Sequence, residues 1–282
     1  MNSKNIKYYL LYGCDVSNQI YDVGESLPSD DKNLRSDTII LVILNKKTNK
    51  VKIVSLLRDI AVEVKGHGKC KLNSLIVYFG PKKTTKIINN LFDINVSKYV
   101  VLDMENMVKI VDIIGGVDIN LKKEEVEFIN HWSKDTTIIT NYKGNANNIS
   151  KEGINHLNGL QTLTHARNRY YGYTWARTRR QREILIAMAK QIKNNTNSSQ
   201  LINIGLSILK YVKTNINLFD IIFISSLINK INLNEISTYP LPNEKTNGIS
   251  DSGMWRFEID FNLAKEYLQK IINDEDVEDF VL

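Results

Sequence analysis

Cysteine is nearly absent: Cys14 and Cys70 are the two among 282 residues. That excludes a disulfide-rich scaffold, and neither lies in the CxxC spacing of a metal or redox site. Two reduced thiols are the simpler expectation, and a single disulfide between them the alternative. Long apolar runs are also missing. Nothing approaches the roughly 18 to 20 residues of a membrane span; the apolar runs are short stretches such as Ile221–Ile224. No signal-peptide pattern precedes Ile6, so the sequence reads as a soluble polypeptide. Arginine is scarce, with nine residues against 28 lysines. The formal charge of +6 is too mild to name a nucleic-acid partner. The most informative absence is local. Residues 165–182 contain no Asp or Glu, yet hold six of the nine arginines: Arg167, Arg169, Arg177, Arg179, Arg180 and Arg182. Without those six, 31 basic residues face 31 acidic ones, so the whole net charge sits in one segment.

The rest is ordinary globular composition, 43% hydrophobic and 24% charged, enough for one large domain or two modest ones. Residues 6–13 form a short apolar run ending in glycine, which predicts a buried strand delivering Asp15 at its end. Residues 37–45 and 51–57 are β-branched runs joined by a polar turn, the pattern of two adjacent antiparallel strands. Gly66-His67-Gly68 reads as a turn, and residues 72–79 as a short helix stopping at Gly80-Pro81. Helical spacing over 84–92, a strand at 99–102, a helix at 105–114 and a strand after Gly115-Gly116 follow. Helical patterns recur at 181–192, 201–212 and 219–228, with 194–199 as a surface loop between the first two. Strands at 236–239 and 254–257 and a helix at 263–272 finish the chain. Strands alternating with helices predict an α/β class, a single α-β-α layered domain over 1–282 with a mixed central sheet. Residues 122–150 read as a polar excursion from that sheet, and 274–282 as a solvated acidic tail.

A helix starting near Trp175 places Arg177, Arg180 and Gln181 on one face with Ile184 and Met188, at about 100° per residue. Arg179 and Arg182 are then the solvent-facing pair. Arginines aimed at a core are costly unless an anion or carboxylate meets them, and this segment supplies no carboxylate. They also fall in the first turns of a helix, where free N–H groups and the dipole favour an anion. A phosphate suits the guanidinium fork; distant carboxylates such as Asp59 or Asp112 would satisfy it equally. A nucleic-acid patch, with Tyr170, Tyr171, Tyr173 and Trp175 stacking bases, is disfavoured because the remaining surface is neutral and offers no basic track. Asp15 and Asp37 each sit at the boundary of a predicted strand, where open α/β sheets place sites. Two such carboxylates beside a phosphate suit Mg²⁺, although Asp at a strand end is also a common turn residue.

Seven short motifs then occur in order: Gly13-Cys14-Asp15, Arg35-Ser36-Asp37-Thr38, Leu57-Arg58-Asp59, Lys71-Leu72-Asn73, Gly115-Gly116-Val117, Arg167-Asn168-Arg169-Tyr170 and Arg177-Thr178-Arg179-Arg180-Gln181. Together they resemble the LytR-CpsA-Psr proteins from about Ile6 to Arg182, and residues 253–260 are similar to that family's closing strand. The resemblance implies an extracellular, membrane-anchored protein of Gram-positive bacteria that attaches glycopolymers such as teichoic acid or capsule to peptidoglycan. It implies an apolar pocket for a polyprenyl chain, with the pyrophosphate on clustered arginines beside Mg²⁺, or Mn²⁺ in its place. Residue by residue it assigns Asp15 and Asp37 to the metal. It assigns Arg58, Lys71, Arg169, Arg177 and Gln181 to the phosphates, with Arg35, Asp59, Arg167 and Arg180 supporting them.

Three departures stand out. Thr174 occupies the place where the family has Asp, which leaves the proton acceptor open among Asp37, Asp59 and a metal-bound hydroxide. Leu57 replaces a proline. The family's N-terminal membrane helix is not in this sequence, whose first predicted strand begins almost at Met1; a truncated chain is the expectation. The implied activity is a Mg²⁺-dependent phosphotransferase, with pyrophosphatase as a side activity, moving a glycosyl phosphate from a polyprenyl-pyrophosphate carrier to peptidoglycan at the membrane surface, with no nucleic-acid partner. The alternative is a non-catalytic polyprenyl-phosphate binder or cell-envelope regulator.

Overall fold

A computed structural model describes residues 5–14, 35–140, 142, 144, 147–195, 197–251, 254–278 and 280–282. The chain divides into two compact units, Met1–Val101 with Glu235–Leu282, and Leu102–Asn234. The first is discontinuous, so no linker composition marks the division in the sequence. Together they give a mixed α/β fold with a central mixed sheet.

In the first unit, β1 (Ile6–Cys14), β2 (Ser36–Asn45) and β3 (Val51–Leu56) form an antiparallel meander. The β4–β5 pair (Ala61–Val64 and Gly68–Lys71) turns at Gly66 and Gly68, both at positive φ. A short 3₁₀ turn, Leu72–Ser74, leads into α1 (Leu75–Phe92), which breaks its helical geometry at Gly80 before Pro81. The predicted stop at Gly80-Pro81 is thus a kink, with helix on both sides. Next to β1 in the sheet lies β6 (Lys98–Asp103), along which the chain leaves this unit.

The second unit opens with α2 (Met104–Ile113), N-capped by Asp103, then β7 (Val117–Leu121). Residues 123–140 form α3 (Lys123–Thr140), which corrects the expected polar excursion. Its buried Val126 and Ile129 supply a narrow apolar stripe that the surrounding polar residues dilute. It is followed by β8 (Gly153–Leu157), antiparallel to β7, and α4 (Gly159–Arg167). Then come α5 (Tyr173–Asn195), α6 (Ser198–Leu209), the two-residue β9 (Lys213–Thr214) and α7 (Leu218–Ile228). The chain re-enters the first unit through β10 (Ser237–Leu241), β11 (Ile249–Asp251), β12 (Met254–Arg256) and α8 (Phe261–Ile272).

Asparagine sets several boundaries. Asn158, Asn197 and Asn217 each accept the N–H of the residue three positions on, and that residue's side chain returns the bond, at the starts of α4, α6 and α7. This reciprocal arrangement satisfies two otherwise orphaned donors. It starts α6 at Ser198, inside the expected 194–199 loop.

The register explains why β2 and β3 read as continuous apolar runs. Tyr12 pairs with Ile39, Leu41 with Val54 and Ile43 with Lys52, so these side chains share one face. On that face Tyr12 meets Thr85 of α1 at 3.0 Å, and the Lys52 ammonium donates to the Ile271 and Ile272 carbonyls that end α8. Ile40, Leu44 and Ile53, on the opposite face, are buried too. Sheets covered on both sides lose the apolar/polar alternation of a half-exposed strand. The parallel β10 completes the other side of β3.

The second core gathers Val111, Ile114, Val117, Leu121, Ile129, Leu157 and Ile184. Here α4 begins against α2 so closely that a Cβ on Gly159 would collide with the Val108 carbonyl, while the Gly159 N–H donates to Asp112 Oδ1 at 2.7 Å. Because the obstacle is backbone, Gly159→Ala is expected to cost about 2 kcal/mol or more through overpacking, lowering Tm by several degrees in a thermal melt. An unchanged Tm would contradict the close approach of α4 to α2.

Candidate functional site

In the first unit the chemistry-bearing segment is residues 57–60, where β3 ends. Its backbone is held from three directions. Leu57 N–H donates to Leu241 O at 2.8 Å, Phe257 N–H to Asp59 O at 2.9 Å, and Asn73 N–H to Arg58 O at 3.1 Å. That frame fixes Arg58 within reach of β2. Its Nη1 lies 2.6 Å from Asp37 Oδ1 and its Nε 3.1 Å from Asp59 Oδ2, while Lys71 Nζ, at the end of β5, takes Asp59 Oδ1 at 2.6 Å. The four residues form one electroneutral chain. Burial works against the charge on Arg58, but Asp37 and Asp59 outweigh it and raise its pKa. Asp59 is buried, with a cation on each oxygen; Asp37, Arg58 and Lys71 keep between 20% and 24% of their side chains open. Arg35, just before β2, is exposed.

In the second unit the arginine segment is a tight turn between α4 and α5. Asn168, fully buried, accepts the Tyr170 N–H on Oδ1 at 3.1 Å. Gly172 has φ +85°, and a Cβ there would lie 2.5 Å from Ala176. Arg180 holds this turn from inside: Nη1 donates to Asn168 O at 3.1 Å and Nη2 to Tyr171 O at 2.9 Å, while Nε meets Glu125 Oε1 at 2.7 Å. Arg169 and Tyr170, between the two clamped carbonyls, project to solvent; Arg167 and Gln181 are half-buried and Arg177 is buried. Thr174 is half-buried in the first turn of α5.

The expected inward face of α5 is confirmed for Arg177, Arg180 and Ile184, and Arg179 faces out toward Glu183 at 3.5 Å. Arg182 is a correction, since it is 5% exposed. It lies about 140° around the helix from Arg177 at about 100° per residue, and a single core stripe would leave it in water. Among the described residues, the exposed positions of this helix are Arg179, Glu183 and Asn194, and the rest are buried or half-buried.

Sequence reasoning missed Glu125 and His165. Glu125 lay in the segment read as an excursion. The signal was present in Lys122 and Glu125: the carboxylate accepts the Lys122 N–H at 3.1 Å, a helix-start pattern. It supplies the carboxylate that the arginine segment itself lacks. His165 is 1% exposed near the end of α4. Burial, aided by the neighbouring Arg180 cation and opposed by Glu125, pulls its pKa down to about 4.

Asp15 lies outside the described residues. Among the described residues no group of three or more His, Cys, Asp or Glu side chains gathers as for a metal ion. Mg²⁺ needs one or two carboxylates and keeps its waters, so the partly open Asp37 carboxylate fits such an ion. Cys14 and Cys70 are not joined in a disulfide, and burial pushes the Cys70 thiol up. No helix among the described residues is long and apolar enough to cross a membrane.

The LytR_cpsA_psr family profile matches residues 2–273. The biofilm regulatory protein A of Streptococcus mutans is 30% identical over 243 residues, 80% of this chain and 55% of that protein. The Bacillus cereus polyisoprenyl-teichoic acid–peptidoglycan teichoic acid transferase TagU is 30% identical over 185 residues, 64% of this chain and 55% of its own. The chain thus spans little more than half the length of these relatives. A solved structure of TagT with bound octaprenyl pyrophosphate superposes with a TM-score of 0.67 at 23% identity, covering 96% of this chain and 92% of that one.

The buried His165–Glu125–Arg180 group makes stability depend on pH. An unfolded histidine titrates near 6.5 and the folded one near 4, so in that window the unfolded chain binds a proton that the folded one refuses. Burial pushes the Glu125 carboxyl up, but the Arg180 bond, the Lys122 N–H and the neighbouring positive charge together outweigh this and leave it below the usual range. Its stabilisation is therefore present above the ordinary carboxylate pKa and is lost as pH falls through the lowered folded value. Tm is expected to drop as pH falls from 6.5 toward 4, and His165→Gln to flatten that slope. Equal slopes for the two proteins would contradict the assignment.

Proposed function

Because the chain belongs to the LytR_cpsA_psr family, we propose that it is a phosphotransferase moving a glycosyl phosphate from a polyprenyl-pyrophosphate carrier to a sugar hydroxyl of peptidoglycan. The observation that carries this reading is the pinned arginine turn, which presents Arg169 to solvent between two carbonyls locked by Arg180. The named activity of TagU and the lipid bound to TagT support the same substrate class. Work at the outer face of the cytoplasmic membrane, against the cell wall, follows from that substrate.

Arg58 and Lys71 are the phosphate ligands of the first unit; Arg167, Arg169, Arg177 and Gln181 are those of the second. Arg180 acts by positioning, because its guanidinium is already committed to Glu125 and two carbonyls. In the transfer, the acceptor hydroxyl oxygen bonds to the glycan-side phosphorus and the bond from that phosphorus to the bridging oxygen breaks. Polyprenyl phosphate leaves with the electron pair. The arginines offset charge as it spreads over the phosphoryl oxygens and the leaving group. Asp59 is buried with a cation on each oxygen, which suits it to orienting Arg58 and Lys71. The more open Asp37 takes the hydroxyl proton; a carboxylate has lone pairs enough to bind Arg58 as well. In an alternative role to that of proton acceptor, Asp37 with Asp15 would hold Mg²⁺, which when bound would supply further positive charge against the phosphate oxygens.

Arg58→Ala and Arg177→Lys are each expected to reduce transfer by about 100-fold or more, measured as polyprenyl phosphate released, with melting curves to verify folding. Arg179→Ala should stay near wild type. Thr174, in the place of the family's Asp, favours a second reading, a polyprenyl-phosphate binder without transferase activity. Incubation with a pyrophosphate-linked lipid and Mg²⁺ separates the two, because a binder leaves the pyrophosphate intact.

A further inference from the structure

The second unit carries an aromatic group that the phosphate chemistry does not use. On α3, Phe128, His131 and Trp132 lie three and four residues apart, so they share one side of the helix. Tyr170, from the arginine turn, is laid over them. Its ring centroid is 5.7 Å from Trp132 at an interplanar angle of 30°, a stacked pair, and 5.8 Å from Phe128. Phe128 and Trp132 are 6.1 Å apart, and His131 stands edge-on to Trp132 at 5.0 Å.

Tyr170 is 70% exposed while Phe128 beneath it is buried. One side of the Tyr170 ring therefore rests on Trp132 and the rest meets water. Its backbone is not free to drift, since its N–H is taken by Asn168 and the carbonyls on either side of Arg169–Tyr170 are held by Arg180. The result is a flat aromatic shelf on a fixed turn, one residue from Arg169.

We propose that this shelf stacks a pyranose ring of the glycan carried by the lipid donor. A pyranose has an apolar face of axial C–H bonds, whose positive hydrogens suit the negative face of an aromatic ring. Its rim of hydroxyls needs polar partners, which the Tyr170 hydroxyl and the exposed His131 ring supply. The proposal rests on the phosphate role given to Arg169: a sugar bonded to that phosphate lies within a ring's length of it, where the next residue presents its face. A nucleobase could stack on the same ring, but the six arginines account for the whole net charge of the chain, so no basic track continues for a strand.

The test compares four probes by equilibrium binding to the wild-type chain, Tyr170→Ala and Tyr170→Trp in parallel. The probes are a polyprenyl pyrophosphate without sugar, the same lipid bearing an N-acetylhexosamine, a soluble peptidoglycan disaccharide and a single-stranded oligonucleotide. Tyr170→Ala is expected to weaken the sugar-bearing lipid by about tenfold, the upper end for one stacked ring. It should leave the sugar-free lipid unchanged, and Tyr170→Trp should restore binding. Equal affinity of Tyr170→Ala and wild type for the sugar-bearing lipid overturns the shelf. An effect confined to the peptidoglycan disaccharide overturns the donor assignment, and tighter binding of a single-stranded oligonucleotide to the same ring overturns both. Failure of the sugar-free lipid to bind wild type would instead reject the underlying phosphate reading.

Discussion

The buried ion pair between Glu125 and Arg180 is the interaction on which the second unit's chemistry depends. Taking both charges out of water is expensive, and their attraction offsets that cost only with good geometry and further hydrogen bonds. Here the guanidinium uses its remaining donors on the Asn168 and Tyr171 carbonyls. Those bonds turn an electrostatic pair into a clamp on the loop between α4 and α5. Removing one partner of such a pair leaves an uncompensated buried charge, typically at a cost of about 3–5 kcal/mol. The neighbouring His165 stays neutral because burial disfavours its charged form, and the Arg180 cation in the same space adds to that. Site geometry and pH sensitivity therefore have one origin.

The first unit solves a related problem differently. Asp37, Arg58, Asp59 and Lys71 are only partly buried apart from Asp59, and their charges cancel in a chain of alternating sign. The frame is backbone: Leu57, Arg58 and Asp59 are tied to Leu241, Asn73 and Phe257, residues far apart in sequence. An arginine held between two carboxylates keeps its direction without a ligand, which lowers the ordering cost when an anion arrives. In one unit a buried carboxylate fixes the loop that carries an exposed arginine; in the other, carboxylates fix the arginine itself.

Much of the fold was legible because its signals are local. The β-branched runs of β2 and β3 and the glycine turns act over a few residues, and each is visible as a string; the asparagine caps are equally local but go unread in the sequence, where Asn197 reads as part of a loop. α3 was not legible, because its apolar stripe is narrow and its polar residues resemble a loop. Arg182 was misplaced because helical periodicity gives the angle between side chains but does not say how many neighbours surround a helix.

What the sequence by itself determined is the inventory: six arginines in a stretch without carboxylates, the ordered motifs from Gly13 to Gln181, and the family they identify. Composition and spacing along the chain suffice for that. Only the tertiary structure decided what each charge does. Arg177 and Arg180 share a helix face, yet Arg180 is committed inward by a carboxylate 55 residues away, and Tyr170 becomes a shelf only because α3 passes beneath it. The physical reason is that electrostatic and stacking energies depend on distance and on exclusion of water, and neither is written along the chain; folding sets both.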